Sequence, residues 1–405
     1  VGCSVQQDQR EIEHEQGRTK DGVVSFRYVS GINKPGFNPL AAQTTVTTYE
    51  PYLFMWGRNS SGQLGLGNTT DYSSPKQVGS LTTWSVISLG TAHSAAVKTD
   101  GTFWSWGSGL YGALGLNNTT SYSSPKQVGA LTNWLTCAAG QYRSTVAIKT
   151  DGTLWSWGQN AYGQLGLGNT TYYSSPKQVG SLTNWLKLST GANFVISIKT
   201  DGTMWSWGRN NVGQLGLGNI TSYSSPKQIG ALTTWSAISA AGVGSWCLAI
   251  KTDGTMWSWG VNTYGGLGLG NTTDYSSPKQ IGALTTWSTP AAGQYWGMAV
   301  TTSGALWSWG YNVSGQLGLG NTTYYSSPKQ IGALTTWSKV TATFRTGYAV
   351  KTNGTFWDWG YNAYGELGDG TSGGSTHKSS PAQVGSLTTW LSISAGYGSA
   401  AGLLY

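Results

Sequence analysis

Apolar and polar positions alternate along this chain in short bursts, each closed by a turn signal. In Leu154-Trp-Ser-Trp-Gly158 the period-two rule places Trp155 and Trp157 on one side of a strand. Lys177 to Val179 reads as a second strand, Trp185 to Ser189 as a third and Val195 to Thr200 as a fourth. Thr200-Asp201-Gly202-Thr203 then supplies an Asp-Gly turn, a strong hairpin signal, into the next Trp-Ser-Trp-Gly strand.

That pattern recurs. A Trp-Gly pair returns with its glycine at Gly57, Gly107, Gly158, Gly208, Gly260, Gly310 and Gly360, at spacings of 50, 51, 50, 52, 50 and 50 residues. Gly-Gln-Leu-Gly-Leu-Gly, Ser-Pro-Lys-Gln and Leu-Thr-x-Trp follow it in nearly every unit. Four antiparallel strands repeated radially predict an all-β, seven-bladed β-propeller of four-stranded blades. Ser399 to Tyr405 corresponds to the strand before the Asp-Gly turn, and Tyr52 to Gly57 to the strand after it. Pairing of these terminal strands should close the ring and protect its edges.

Composition agrees with that reading and excludes others. Of 405 residues, 60 are Gly, far from the one in three of collagen, and 13% are aromatic, which excludes a disordered chain. Twenty of the 22 Trp fall at repeat positions, so large aromatics can carry a core modest in Leu and Ile. No apolar run is long enough to span a membrane as a helix. The net charge of +8 would raise nucleic acid as a partner. Most lysines, however, form two repeat rings, Lys76 to Lys329 and Lys98 to Lys351, which read as solvated faces and disfavour nucleic acid. Cys3, Cys137 and Cys247 lack metal-ligand spacing and read as apolar fillers. Val1 at the start reads as a processed or trimmed end.

Over Ala138-Ala-Gly-Gln-Tyr-Arg-Ser-Thr-Val-Ala-Ile-Lys-Thr-Asp-Gly-Thr-Leu-Trp-Ser-Trp-Gly158 and on to Gly168, the sequence resembles the regulator of chromosome condensation repeat family. The resemblance covers about 355 residues and implies a seven-bladed propeller. The family includes a nuclear exchange factor, secreted β-lactamase inhibitors and many bacterial and phage surface proteins. Its exchange activity relies on a β-wedge inserted in a blade, for which the even spacing leaves no room. The low-charge, Ser/Thr/Asn-rich units look most like the bacterial and phage surface repeats.

Chemistry finds little purchase. Gly-Gln-Leu-Gly-Leu-Gly reverses the order of a dinucleotide loop, and no helix follows it. His14, His93 and His377 stand in three different contexts, and most Asp residues belong to the hairpin turns. No carboxylate pair, metal cluster or nucleophile constellation emerges, so the expectation is a protein without enzymatic activity, cofactor or metal. The Asn-Thr-Thr triplets fit a glycosylation sequon but belong to the repeat, so they read as loop structure.

The informative signal is variation between units. One variable segment carries His93, Tyr142, Arg143, Asn193, Phe194, Trp246, Tyr295, Trp296, Phe344, Arg345 and Tyr397. The other, after Trp-Gly, carries Tyr111, Tyr162, Tyr264 and Tyr364. Strand parity puts both on one face, opposite the invariant turns, as a binding rim. The two Trp outside the repeat, Trp246 and Trp296, should bind ligand without supporting the fold. Residues 1–50 lie outside the repeat, and Val23 to Val29 and Thr44 to Tyr49 have strand character. This arm would anchor assembly contacts by strand addition. The function expected is an adhesion or display protein, extracellular or on a virion surface, meeting a protein or glycan. The alternative is a regulatory propeller that binds a small GTPase or chromatin as a guanine-nucleotide exchange factor.

Overall fold

The computed structural model describes residues 51–80 and 83–405, with the short segments 17–18 and 24–25. Those segments pair antiparallel, Gly17–Arg18 with Val24–Ser25. The proposed assembly role of residues 1–50 and the other strands read there lie outside the described residues. Seven four-stranded antiparallel sheets form the propeller. In chain order, blade 1 spans 84–127, blade 2 134–178, blade 3 185–228, blade 4 235–280, blade 5 287–330 and blade 6 337–383. Blade 7 joins the termini: Trp390–Ala395, Ser399–Leu404, Tyr52–Gly57 and Tyr72–Gln77 lie side by side. Tyr52 pairs with Leu404 and Gly57 with Ser399, which is the closure expected from the sequence.

Each blade begins at Leu-Thr-x-Trp. Blade 3 illustrates the order: Trp185–Thr190 first, Phe194–Lys199 second, Met204–Gly208 third and Tyr223–Gln228 last. The second strand is buried throughout, because it is flanked by strands on both edges and by blades on both faces. The last strand is longer than its sequence pattern predicts: in blade 2 it starts at Tyr173, not Lys177. Tyr-Ser-Ser-Pro-Lys-Gln shows no apolar alternation because it forms the outer edge of the blade, where Pro is tolerated.

Neighbouring blades are tied together twice. First strands meet through serine: Ala139 N donates to Ser88 Oγ (2.9 Å), Ala240 N to Ser189 Oγ (2.9 Å) and Leu89 N to Ser394 Oγ (3.2 Å), the last joining blade 7 to blade 1. The long loop between third and fourth strands also reaches the next blade, where the second Trp of Trp-x-Trp-Gly donates to its backbone. Trp207 Nε1 bonds Gln164 O (3.0 Å), Trp157 Nε1 bonds Ala113 O (3.0 Å) and Trp56 Nε1 closes the ring on Glu366 O (2.8 Å). Gly166 is required here: its φ is +73°, and a Cβ would sit 2.8 Å from Trp207 Nε1. In most blades the Leu-Thr-x-Trp indole packs edge-on against both tryptophans of Trp-x-Trp-Gly, as Trp134 does at 6.0 Å from both Trp155 and Trp157.

One sequence reading changes. The lysines beside the Asp-Gly turns are not a solvated face: Lys98, Lys149, Lys199 and Lys351 are buried. Lys149 Nζ lies 3.8 Å from the centroid of Trp155 and 5.0 Å from that of Trp134, a cation–π sandwich. Burial lowers its ammonium pKa, opposed by Asp151. Cys137 and Cys247 are separate buried thiols, and burial pushes the Cys137 thiol up to about 12.

Blade 6 departs from the repeat. Asp358 stands where Ser105, Ser156, Ser206, Ser258 and Ser308 each donate to a leucine carbonyl at 2.7 Å. Its carboxyl is fully buried without a hydrogen-bond partner, and burial raises its pKa well above the usual carboxylate range. Glu366 stands where Gln63, Gln164, Gln214 and Gln316 occur, buried, accepting from Tyr364 N at 2.8 Å. Burial pushes its pKa up to about 7.

Candidate functional site

The two ends of the strands give the propeller a turn face and a loop face. On the turn face, Asp151 Oδ1 accepts from Thr153 N (2.9 Å) and Thr153 Oγ1 (2.6 Å), and Thr153 Oγ1 accepts from Trp155 Nε1 (2.9 Å). The same chain runs through Asp100, Asp201 and Asp253, so the turn residues are fixed by their own bonding. Both variable segments lie on the loop face. There the Asn-Thr-Thr triplet is structural: Asn169 Oδ1 accepts from Thr171 N (3.0 Å), and buried Asn160 donates to Asn169 O (3.0 Å).

The predicted rim residues divide into two groups. His93, Asn193, Phe194, Trp246 and Trp296 are buried, at 0, 5, 1, 0 and 0% exposure, and present nothing to a ligand. His93, Phe194, Trp246 and Trp296 occupy the same place, the first residue of the second strand, opposite the glycine of Trp-Gly. Ser144, Thr346 and Ser399 complete that layer. Trp246 Nε1 donates to Gly293 O (3.0 Å), and Trp296 Nε1 to Thr343 O (3.1 Å), each in the next blade. His93 Nε2 lies 3.0 Å from Thr145 Oγ1, also across a blade boundary. Burial, with Arg143 nearby, lowers the His93 pKa to about 4, so it is a neutral packing residue. The expectation that Trp246 and Trp296 are dispensable for the fold is therefore corrected: they wedge the blades together.

The second group is solvent-facing, and most of it converges. Tyr264 stacks with Tyr295 at 5.3 Å and with Tyr311 at 4.7 Å, and Tyr311 meets Tyr324 at 4.9 Å. Arg345 lies 5.3 Å over Tyr311 and 4.7 Å over Phe344. Phe344 continues to Tyr397 at 4.7 Å and to Tyr361 at 6.3 Å; Tyr361 reaches His377 at 4.7 Å and Tyr364 at 6.5 Å. Arg58 closes the band, 5.2 Å over Tyr364 and 5.9 Å over Tyr397. The result is one continuous aromatic band with two guanidiniums, spread over blades 4 to 7. Burial lowers the His377 pKa and raises that of Tyr361.

Tyr111, Tyr142, Arg143 and Tyr162 stand apart from it. Tyr111 pairs with Tyr172 at 5.3 Å, and Tyr162 lies under Arg209 at 5.0 Å. Sequence reasoning missed Arg58, Arg209, Tyr311 and Tyr361 as site residues, although all four hold the position directly after Trp-Gly. Across the units that position reads Arg58, Ser108, Gln159, Arg209, Val261, Tyr311 and Tyr361, so comparison of the repeats held the signal. Tyr324 and His377 lie just before the fourth strands of blades 5 and 6, in the connection from the third strand.

Among the described residues no group of His, Cys, Asp and Glu is arranged to hold a metal ion. No helix among them is long and apolar enough to cross a membrane. What the fold and band define is a propeller with a constant ring and one asymmetric, aromatic face. The RCC1-like domain model matches residues 41–289, and the RCC1 repeat model matches 303–343 and 353–403. The chain belongs to the RCC1-like propeller family.

It is 31% identical over 261 residues to the human E3 ubiquitin-protein ligase HERC2, covering 62% of this chain and 5% of HERC2. To the Arabidopsis thaliana ultraviolet-B receptor UVR8 it is 31% identical over 240 residues, 58% of this chain and 42% of UVR8. The chain thus spans less than half the length of either relative. Yeast RCC1 (Prp20), solved bound to Kap60, superposes with a TM-score of 0.77 at 18% identity, covering 88% of this chain and 89% of that one. Prp20p from Saccharomyces cerevisiae, described with its binding to Gsp1p and histones, gives 0.77 at 20%, covering 88% and 92%. By their names these relatives are a ubiquitin ligase and an ultraviolet-B receptor, beside structures of a protein that binds Kap60, Gsp1p and histones; none is an adhesion or display protein. They overturn the expected adhesion or display role and the extracellular or virion location, and they lend the expected surface glycan partner no support.

Proposed function

We propose that this chain is a non-enzymatic regulatory propeller that docks a small GTPase or a chromatin protein on its loop face. The observation that carries the proposal is the aromatic–arginine band from Tyr264 to Arg58, set on a ring of the RCC1-like family. Tyr and Arg are enriched at binding hot spots, Tyr through a large ring with few rotors and Arg through a planar fork of several donors. Prp20, which shares the fold, is described as binding Gsp1p and histones. Each described blade has only its four strands, without an inserted strand pair. The reading is accordingly one of regulated binding rather than nucleotide exchange.

Purified protein would be titrated against small GTPases and histone octamers, wild type beside Tyr311→Ala and Tyr364→Ala. Saturable binding to one of these partners, weakened at least tenfold by the substitutions, is expected. Absence of binding to both partner classes, or binding indifferent to both substitutions, would remove the proposal.

A further inference from the structure

All four arginines of residues 51–405, Arg58, Arg143, Arg209 and Arg345, lie on the loop face, while twelve of the fourteen lysines lie beside the turns or on the outer strands and Lys187 and Lys339 lie on first strands. The lysines of the repeat are engaged symmetrically. Six on the outer strands sit over a tyrosine of their own blade, as Lys279 does over Tyr275 at 5.4 Å, and those of the turns lie between indoles. The arginines break the symmetry. Three are stacked on loop-face aromatics, Arg58 on Tyr364, Arg209 on Tyr162 and Arg345 on Tyr311 and Phe344. The Nε of Arg143 and of Arg345 are buried and have no hydrogen-bond partner.

None of the four is paired with a carboxylate among the described residues, where Lys378–Asp369 (2.6 Å) is the ion pair present. The acids of this face are otherwise occupied. Asp71 and Asp274 accept from the backbone N–H of Asn59 (2.6 Å) and Asn262 (2.7 Å), Asp369 holds Lys378, and Asp358 and Glu366 are buried. Arg58 Nε donates to Ser60 Oγ (3.2 Å), and a guanidinium placed over a ring still has its terminal N–H groups for a carboxylate acceptor while losing little further freedom on binding.

We infer that the band takes a carboxylate-rich segment of its protein partner, with Arg58 and Arg345 each receiving an acidic side chain and apolar side chains of the segment lying on Tyr397 and Phe344 between them. This rests on the loop face being the docking surface. It adds the chemistry of what docks: acidic side chains spaced by apolar ones. Lysine at the same places would supply charge without the fork, so an Arg-to-Lys change should not be neutral.

The test uses fluorescein-labelled twelve-residue peptides of alternating Glu and Leu, Gln and Leu, or Lys and Leu, with a dT12 oligonucleotide as the phosphate arm, read by anisotropy at two salt concentrations. The Glu peptide should bind at least tenfold more tightly than the Gln peptide, and more weakly as salt rises. Arg58→Gln with Arg345→Gln should cost at least tenfold with the thermal midpoint unchanged, and Arg345→Lys should recover only part of the loss. Equal binding of Glu and Gln peptides, or preference for dT12, overturns the inference. So does acidic binding that survives the arginine changes and falls instead with Lys227→Gln and Lys279→Gln, which places it on the lysine ring. If Tyr311→Ala abolishes binding of the GTPase or histone partner while Arg58→Gln and Arg345→Gln leave it intact, docking on the loop face stands and the acidic segment alone falls.

Discussion

Two sets of residues vary between the repeats, and the structure puts them to opposite uses. The layer of His93, Ser144, Phe194, Trp246, Trp296, Thr346 and Ser399 is buried, whereas Tyr264, Tyr324 and Tyr364 stand exposed a few residues away along the loops. Variation marks positions where the scaffold does not dictate one residue; it says nothing of depth. In the buried layer the variation is compensated locally. A Cβ on Gly297 would lie 3.0 Å from Trp246 Cη2 and 2.7 Å from Trp309, so the small residue makes room for the large one in the preceding blade. In the band the variation is cumulative, because neighbouring units supply aromatics to one patch.

The sharpest way to break this contrast is truncation. Trp246→Ala and Trp296→Ala should each lose about 3–5 kcal/mol, since each removes a full indole and a hydrogen bond across a blade boundary. Denaturant midpoints measure it. A Trp296→Ala midpoint equal to wild type would return that residue to the rim.

Protonation tests the same contrast at intermediate size. Glu366 has a folded pKa of about 7, above its ordinary 4.5, so the folded state holds a proton that the unfolded chain releases. Its contribution is fully present below about pH 4.5 and is lost as pH rises to 7, about 3 kcal/mol in all. His93 has the opposite sign: its folded pKa of about 4 lies below 6.5, so stability is lost as pH falls from 6.5 to 4, by a similar amount. Between about pH 4.5 and 6.5 the two slopes oppose each other. Relative to wild type, Glu366→Gln, the residue of four other units, should remove one fall in stability between pH 4.5 and 7. His93→Gln should unmask a fall between 4.5 and 7. Asp358→Ser, restoring the serine of five units, should stabilise the protein at neutral pH by relieving an unpartnered buried carboxyl. pH-resolved unfolding curves decide these cases, and parallel curves for wild type and Glu366→Gln would show that this carboxyl titrates normally.

The smallest effect belongs to the band. Tyr264→Ala and Tyr397→Ala should change stability by no more than about 1 kcal/mol, because they remove half-exposed ring contacts and leave the clamps between blades untouched. A loss as large as that of Trp246→Ala would make the band part of the core and erase the contrast.

By itself the sequence determined the ring. Trp-Gly at intervals of 50 to 52 residues, the Asp-Gly turns and the two half-matched termini specify seven blades and their closure, because these signals are local and repeat. It also determined that Tyr264, Phe344, Arg345 and Tyr397 belong to one face, since strand parity needs no third dimension. Tertiary structure decided which variable residues meet solvent. Trp246 and Tyr295 come from the same variable segment, yet one wedges two blades while the other stacks in the band. The last strand, with its polar Tyr-Ser-Ser-Pro-Lys-Gln, likewise waited on its place at the outer edge. Burial of a side chain depends on the neighbouring blade, about fifty residues distant in the chain, and the pairing of Arg58 with Tyr364 depends on the ring having closed.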